Sequence, residues 1–206
     1  LWHSSAASDV YKRQIYRPED KPVLNYLDDD GTPVEPEFYV PIIPMILVNG
    51  AKGIGTGFST DVLSYNPLVL MDTLIHKLDG HEDVSQYVNP LPYYQGFKGN
   101  VIQVEDSKYL IKGKYNPTGK ADEIVVTELP IGTWTDNYKV FLEKLIESKK
   151  HVKEYKDMST DTNVEIIINL LPGTLSKLEA KQVTSHINGV ESELKLTTSN
   201  KTSNMH

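Results

Sequence analysis

The sequence predicts an α+β fold in which a mixed or antiparallel sheet is flanked by helices. Strand-like and helix-like segments alternate irregularly along the chain, whereas a doubly wound parallel sheet would require regular alternation. Internal repeats are absent. The chain has 206 residues, 39% of them hydrophobic, and is therefore long enough to bury a core of ordinary size.

The composition excludes several kinds of protein. The chain contains no cysteine, so it has no disulfide framework, no cysteine-ligated zinc and no nucleophilic thiol. It also lacks an apolar stretch of the roughly 20 residues that span a bilayer, so we expect no membrane partner. The net charge of −7 argues against a generally basic nucleic-acid binder, but one basic face is sufficient for DNA contacts.

The first fourteen residues, Leu1–Gln14, do not resemble the rest of the chain. They show neither apolar periodicity nor a helix-capping pattern, and they resemble adaptor sequence translated at the edge of an assembled contig. The apolar core of a signal peptide, about 7–15 residues long, is missing as well. We therefore predict a foreign leader here and draw no function from it.

The N-terminal half of the chain is predicted to contain a strand, a loop and a helix. Ile46–Val48 is expected to be a short buried strand, because prolines on its N-terminal side keep the approach extended. A glycine-rich loop follows at Asn49–Gly57. A helix should begin with Asn66 as N-cap and Pro67 as its first residue, and end at Gly80. Its apolar stripe consists of Leu68, Met71, Ile75 and Leu78.

The C-terminal half alternates short helices with strands that are rich in β-branched residues. The predicted strands are a hairpin of Asn100–Glu105 and Lys108–Lys112, then Glu123–Glu128, Val164–Leu171 and a last strand near Leu194–Leu196. One predicted helix is capped by Thr133 or Thr135, with Tyr138, Phe141, Leu142 and Leu145 as its apolar positions, and another runs from Leu175 to about Lys181. Together these elements give the α+β prediction.

Glycines at positions 50, 53, 55 and 57 make the predicted loop the most distinctive local feature. A phosphate-binding P-loop is excluded because no lysine follows Gly55, and a dinucleotide fingerprint would need a third glycine where Phe58 stands. Two interpretations stay open, a tight turn between a strand and a helix, and a DNA-inserting wedge. The wedge interpretation depends on Ile54, a single aliphatic side chain between glycines that suits insertion between base pairs.

Charge is distributed unevenly along the chain. Residues 28–37 contain five acidic and no basic residues, whereas residues 94–120 and 144–156 contain five lysines each. A lysine run is ordinarily solvated surface. Two such runs in a chain that also carries the glycine-rich loop are compatible with a DNA-facing surface.

Four blocks of sequence resemble, in the same order, the type IIA DNA topoisomerases of eukaryotes and large DNA viruses. Residues 35–59 read EPEFYVPIIPMILVNGAKGIGTGFS, close to the family's E-P-E-W-Y-x-P-I-I-P-M-x-L-x-N-G-A-E-G-I-G-T-G-W-S. The other blocks are Gln95–Gly99, similar to G-[FW]-x-G, then Glu128–Pro130 with Thr133–Thr135, similar to E-L-P-x-x-T-W-T, and Asp161–Val164, similar to D-[TD]-[TN]-[VI]. The resemblance covers roughly Ile15 to the end of the chain.

The resemblance implies a place within a larger isomerase. Residues 15–35 would end a winged-helix region, and residues 36–206 would form a DNA-bending domain like the family's tower and shoulder, cut before its coiled-coil gate. The complete enzyme cuts both strands of a gate duplex, passes a second duplex through the break, and requires ATP and Mg²⁺. It acts on double-stranded DNA as a homodimer, in the nucleus or, for a virus, in the host cytoplasm.

The resemblance also implies DNA-binding residues. In the family, the isoleucine of the I-G-T-G loop wedges into the gate duplex and bends it. That role falls on Ile54, and we expect the adjoining residues Gly53, Gly55 and Thr56 to bind DNA with it. Phosphate contacts are expected from Lys52, Lys98, Lys112 and Lys114. Three positions depart from the family: Lys52 replaces Glu, Phe58 replaces Trp, and Ile131-Gly132 stands where many relatives have Arg.

We expect neither a catalytic residue nor a metal ligand in this chain. The family's nucleophile is a tyrosine that follows an arginine, and the sequence contains no Arg-Tyr pair. Tyr11 has basic neighbours but lacks the surrounding motif. The acidic residues 28–30 lack the alternate spacing of an EF-hand loop, and we interpret them as a solvated turn.

Three other functions stay open on the sequence alone. A DNA-binding module of another kind could share only the glycine-loop element, but it would have no reason to carry the later blocks in order. A protein-interaction domain could carry the lysines as plain surface, and it would show no salt-dependent affinity for DNA. A nucleotide-binding domain could use the glycine loop, but it would need the missing P-loop lysine.

Overall fold

The chain forms two compact units, which we call unit 1 (Leu1–Pro90) and unit 2 (Leu91–Met205). The structure is a computed structural model that describes residues 12–83, 85, 90–203 and 205, without the Phe58 side chain. Most of the predicted leader, including Tyr11, therefore lies outside the described residues, and residues 12–15 are helical. The domain boundary predicted after residue 35 falls inside unit 1 and stays a prediction.

Unit 1 consists of two separate antiparallel hairpins and short helices. Its elements are a 3₁₀-helix at Pro18–Val23, strands β1 (Tyr26–Asp29) and β2 (Thr32–Pro36), helix α1 (Met45–Asn49), strands β3 (Ala51–Gly55) and β4 (Phe58–Val62), and helix α2 (Pro67–Leu78). Among its described residues, the buried hydrophobic side chains are Val62, Leu63, Tyr65 and Leu70. The apolar interior of this unit is therefore small.

The segment Ile46–Val48 is part of helix α1, so the predicted buried strand is wrong. The Pro44 carbonyl accepts hydrogen bonds from the backbone N–H groups of Leu47 (2.9 Å) and Val48 (3.3 Å), and these local bonds favour a helical turn over strand pairing. Gly50 ends the turn at φ 68°, and a Cβ there would lie 2.8 Å from the Val62 carbonyl oxygen. Only glycine fits this position.

Helix α2 begins as predicted but buries a different face. The Asn66 side chain accepts a hydrogen bond from the Leu68 N–H at 2.9 Å, Pro67 is the first helical residue, and Gly80 follows the helix at φ 90°. The buried residue of the helix is Leu70. Leu68, Ile75 and Leu78, three of the four residues in the predicted stripe, are exposed. The start signal was thus reliable, whereas the apolar stripe did not define the core face.

Unit 2 contains a four-stranded antiparallel sheet in the order β7-β8-β10-β9, a three-stranded sheet in the order β13-β6-β5, and a small hairpin of β11 and β12. The strands are β5 (Asn100–Glu105), β6 (Lys108–Lys112), β7 (Lys114–Pro117), β8 (Glu123–Glu128), β9 (Val152–Asp157), β10 (Ile166–Leu170), β11 (Gln182–Thr184), β12 (Ile187–Asn188) and β13 (Thr197–Lys201). The helices are α3 (Thr135–Glu147), α4 (Thr174–Ala180) and α5 (Gly189–Glu193). The α+β prediction is confirmed.

The core of unit 2 lies between the four-stranded sheet and helix α3. Alternate residues of β8 and β10 point inward, so Ile124 and Ile168, which are register partners, are both completely buried. Helix α3 covers them with Leu142 and Tyr138, and the Tyr138 hydroxyl donates a hydrogen bond to the Leu194 carbonyl at 2.9 Å. Burying one such aliphatic side chain contributes about 1.5–3 kcal/mol.

Two further predictions in unit 2 are wrong, although the hairpin β5–β6, strand β8 and the buried strand β10 are confirmed. Helix α3 has Trp134 at its N-cap without a side-chain hydrogen bond, so neither threonine caps it. The last strand is Thr197–Lys201 rather than a strand near Leu194–Leu196, because Leu194 ends helix α5 and Lys195 turns the chain at φ 51°. The polar strand β13 has no apolar run because it lies at a sheet edge.

Candidate nucleic-acid interface

The predicted glycine-rich loop is a β-hairpin formed by β3 and β4. Gly55 pairs with Phe58 across a two-residue turn of Thr56 and Gly57, and Gly57 has the positive φ of 81° that favours glycine at this place. Most of the predicted loop Asn49–Gly57 is therefore strand β3, and the tight turn is confined to Thr56 and Gly57. Pairing with the strand-forming residues of β4 orders the glycine-rich segment, which has little preference of its own for a strand.

The two faces of this hairpin differ in chemistry. Side chains alternate along a strand, so Lys52 and Ile54 lie on one face while Gly53 and Gly55 lie on the other. On this glycine face β3 itself presents only backbone at these two positions, and the side chains come from Ala51 and from the register partners Thr60 and Val62 on β4. The opposite face presents Lys52 and Ile54 with their register partners Asp61 and Ser59. It therefore combines an ammonium group with one branched apolar side chain, the two kinds of group expected of a DNA wedge.

Ile54 is the most exposed large hydrophobic side chain that the structure describes, with 87% of its surface accessible. Its cross-strand partner is Ser59, which offers no apolar cover. Isolated exposed hydrophobic residues are common, but a β-branched residue on a narrow hairpin between two glycines is presented outward with little freedom to turn inward. The structure thus gives Ile54 no role in the core of unit 1.

Lys52 pairs across the hairpin with Asp61, its register partner. The Lys52 Nζ lies 3.6 Å from Asp61 Oδ2, and their side chains are 74% and 43% exposed. An exposed pair of this kind contributes about 0–1 kcal/mol, so the Lys52 ammonium can exchange this carboxylate for another anion at little cost.

In unit 2, Lys98 joins the three later sequence blocks that resemble the topoisomerase family. Its backbone N–H donates a hydrogen bond to Glu128 Oε2 at 3.1 Å, and its Nζ donates to Asn163 Oδ1 at 3.0 Å. These partners lie 30 and 65 residues away in the sequence, so composition and charge runs could not reveal them. Glu128 thus holds the Lys98 backbone, and Asn163 holds its exposed ammonium group.

The two remaining candidate lysines differ in exposure. Lys112 Nζ lies 2.6 Å from Glu191 Oε1 and donates a hydrogen bond to the His186 carbonyl at 2.8 Å. This ion pair is nearly inaccessible to solvent, so moving its ammonium to a phosphate would leave Glu191 unpaired. Lys114, on the edge strand β7, is exposed. The geometry therefore ranks Lys112 below Lys98 and Lys114 as a phosphate contact.

A cavity of about 910 Å³ lies in unit 1 and includes none of the predicted site residues in its lining. Basic and aromatic side chains dominate this lining: Lys12, Arg13, Arg17 and Lys21 with Tyr16, Tyr26 and Tyr39. Its chemistry also suits an anion, but two of its cations belong to the predicted leader.

The described part of the chain offers neither a metal cluster nor a membrane-spanning helix. No group of three or more His, Cys, Asp or Glu side chains is arranged to hold a metal ion there. No helix among the described residues is long and apolar enough to cross a membrane.

Comparisons with known proteins identify a family and relatives that this chain resembles. Residues 6–206 match the family model for the A-subunit of DNA gyrase/topoisomerase IV. DNA topoisomerase 2 of Bombyx mori is 43% identical over 175 residues, which cover 83% of this chain and 11% of that protein. DNA topoisomerase 2 of Drosophila melanogaster is 39% identical over 199 residues, 94% of this chain and 13% of that protein.

A solved structure is similar over nearly the whole chain. The crystal structure of the Plasmodium falciparum topoisomerase II DNA-binding, cleavage and re-ligation domain matches with a TM-score of 0.81 and 34% identity, covering 94% of this chain and 25% of that chain. The similarity extends through both units. This chain thus spans only a small part of the length of the proteins that it resembles.

Proposed function

The chain belongs to the DNA gyrase/topoisomerase IV family, and on this premise we propose that it binds and bends the gate duplex of an ATP-dependent type II DNA topoisomerase. The central step is insertion of Ile54 between base pairs. Lysines around the duplex would supply the attraction that offsets the cost of bending.

The observation that carries this proposal is the exposure of Ile54 between two glycines. An apolar wedge that enters a base step must project from a slender support and must not be needed by the protein's own core. Ile54 meets both conditions, because 87% of its surface is accessible and its neighbours Gly53 and Gly55 carry no side chain. The two-residue turn of Thr56 and Gly57 keeps the tip of the hairpin narrow.

The energy balance assigns a role to the lysines. Bending a duplex costs on the order of 1–10 kcal/mol, and unstacking a base step costs roughly a few more. Each lysine that neutralises a phosphate releases counterions, and this release favours binding. We assign that role first to Lys52 beside the wedge and then to Lys98 and Lys114 on unit 2, with Lys112 the least accessible of the four.

For the complete enzyme we propose double-strand passage that relaxes and decatenates DNA, carried out by a homodimer in the nucleus, or in the host cytoplasm if the protein is viral. ATP and Mg²⁺ would supply energy and stabilise phosphate charge elsewhere in that enzyme. The described residues of this chain do not fit a metal site, and we therefore derive no step through either group here. The contribution of the chain is mechanical: it grips and deforms the duplex.

The test is a measurement of DNA bending by energy transfer between dyes at the two ends of a short duplex. We expect Ile54→Ala in the 206-residue chain to reduce the bend strongly and the affinity only slightly. Ile75→Ala is the matched control, because Ile75 is also exposed but lies on helix α2. Equal bends for Ile54→Ala and the parent chain would overturn the wedge, and an affinity independent of salt would overturn the phosphate contacts.

A further inference from the structure

Glu193, at the end of helix α5, is surrounded by three basic side chains. Its Oε2 lies 2.9 Å from Lys150 Nζ and 3.7 Å from His151 Nε2, and its Oε1 lies 3.6 Å from Lys181 Nζ. Lys150 and His151 come from the turn between α3 and β9, and Lys181 follows α4. One carboxylate can balance only one of the two lysine ammonium groups, so the cluster carries excess positive charge.

The turn that presents Lys150 has an unusual backbone. Lys149 and His151, on either side of it, have φ values of 52° and 64°, in the left-handed region that non-glycine residues rarely occupy. Backbone hydrogen bonds hold the turn, from Lys149 N–H to the Ile146 carbonyl and from Lys150 N–H to the Leu145 carbonyl, each at 2.9 Å. Left-handed non-glycine residues cost free energy, and they concentrate at functional sites.

The Glu193 carboxylate, which contacts these basic side chains, is itself fixed in position. Glu193 is 20% exposed at its side chain, and its neighbour Leu194 is completely buried. The hydrogen bond from Lys150 is the main reason that the pKa of Glu193 lies below its ordinary value, so the carboxylate stays charged. The ammonium groups of Lys150 and Lys181 are therefore oriented in advance, and they lose less freedom on binding than unrestrained lysines would.

Helix α5 also carries a second glutamate, Glu191, whose lysine partner is nearly inaccessible to solvent instead of exposed. Glu191 pairs with Lys112, and both side chains are less than one-fifth exposed, so that pair serves the fold. Around Glu193, by contrast, the side chains of Lys150 and Lys181 are 55% and 58% exposed. Their ammonium groups can reach an anion in solvent while the carboxylate still orients them.

We propose that Lys150, His151 and Lys181 form a phosphate-binding site oriented by Glu193, and that its ligand is the phosphodiester backbone of duplex DNA. The proposal rests on the proposed function, because it takes the duplex as the source of phosphate. The site adds grip without bending, since it contains no apolar side chain that could enter a base step.

The experiment compares Lys150→Gln/Lys181→Gln with the parent chain in fluorescence-anisotropy titrations of a duplex over a series of salt concentrations. Each lost phosphate contact lowers the slope of log affinity against log salt by roughly 0.9, so we expect a slope smaller by about 2 and an affinity about tenfold lower at moderate salt. The DNA bend at saturation should stay at the parent value. Lys150→Arg/Lys181→Arg should restore both slope and affinity, because arginine keeps the charge.

Lys108→Gln/Lys120→Gln is the matched control, with the same change of charge in unit 2 and ion pairs to Glu105 and to the buried Glu123. An equal loss of affinity and of salt slope in this control would show that net charge alone causes the effect, and it would overturn the site. Parent-like binding by Lys150→Gln/Lys181→Gln would overturn the site but leave the proposed function standing. A parent chain that does not bind DNA would overturn both. If the double variant unfolds, Lys181→Gln alone tests the same slope.

Discussion

Unit 1 and unit 2 differ in how far their apolar side chains are buried. Unit 2 buries a continuous cluster between its sheet and helix α3, including Ile124, Leu142 and Ile166 without any accessible surface. Unit 1 leaves large apolar side chains such as Phe38 and Ile54 in the open. The comparison indicates that unit 2 supplies its own stability, whereas unit 1 leaves much of its apolar surface exposed.

The largest expected effect concerns ion pairs. Lys112→Met should lower the free energy of unfolding by about 3–5 kcal/mol, because it leaves Glu191 charged and unpaired in a nearly inaccessible place. Lys52→Met in unit 1 should cost at most about 1 kcal/mol, because its partner Asp61 is exposed to water. Urea unfolding followed by circular dichroism measures both. Equal losses would contradict the distinction between the two units.

The next effect concerns apolar packing. Leu142→Ala should destabilise the protein by about 2–5 kcal/mol, since it opens a cavity in the core of unit 2. Leu78→Ala, the same change at the 86% exposed end of helix α2, should stay within about 0.5 kcal/mol of the parent. The same unfolding curves give both values. A costly Leu78→Ala would show that unit 1 has a larger core than its burial indicates.

A smaller effect distinguishes the helix caps by their pH dependence. The Asp122 carboxylate accepts hydrogen bonds from the N–H groups of Leu175 and Gly173 at the start of α4, and these bonds lower its pKa. A lowered pKa in the folded state stabilises the protein above the unfolded value of about 3.9, and this contribution is lost as pH falls through the folded value. In unit 1 the cap of α2 is the uncharged amide of Asn66.

The difference in melting temperature between the parent and Asp122→Asn should therefore be present at pH 6 and shrink as the pH falls below about 4. The difference for Asn66→Ala should not depend on pH in that range, because no titrating group takes part in the bond. Melting curves between pH 6 and pH 2.5 test this. A constant difference for Asp122→Asn would show that its hydrogen bonds do not depend on the charge.

The smallest expected change in stability is that of Ile54→Ala. We expect the free energy of unfolding to stay within about 0.5 kcal/mol of the parent, because the side chain packs against nothing in the core. The same substitution should nevertheless remove most of the DNA bend. A marked loss of stability would mean that Ile54 supports the hairpin rather than the duplex.

Local signals in the sequence were sufficient for the elements that depend on local chemistry. Asn66 and Pro67 mark the start of α2 because an N-cap and a first-turn proline act through adjacent backbone groups. Strand β8 was predicted at its true bounds, Glu123–Glu128, because its β-branched residues fit a buried strand. The resemblance of residues 35–59 to a known family supplied the candidate site.

Long-range partners account for most of what the sequence did not predict. Whether a lysine is free depends on carboxylates far along the chain: Glu191 takes Lys112 out of solvent, and Glu193 gathers Lys150 with Lys181. The segment Ile46–Val48 became helical because of hydrogen bonds to Pro44, although its composition favours a strand. Neither a distant carboxylate nor the Pro44 carbonyl produces a periodic pattern of residues that the sequence would show.

The exposure of Ile54 on the β3–β4 hairpin has a consequence for evolution. No contact in the core depends on position 54, so a change of residue there alters the volume of the wedge without a penalty in folding. If Ile54 is the wedge that we propose, selection can tune the angle imposed on DNA through a single codon, from valine to leucine or methionine. Gly53 and Gly55 would not tolerate substitution in the same way if the tip of the hairpin must stay narrow. We therefore expect related sequences to vary at position 54 while they keep glycine at positions 53 and 55.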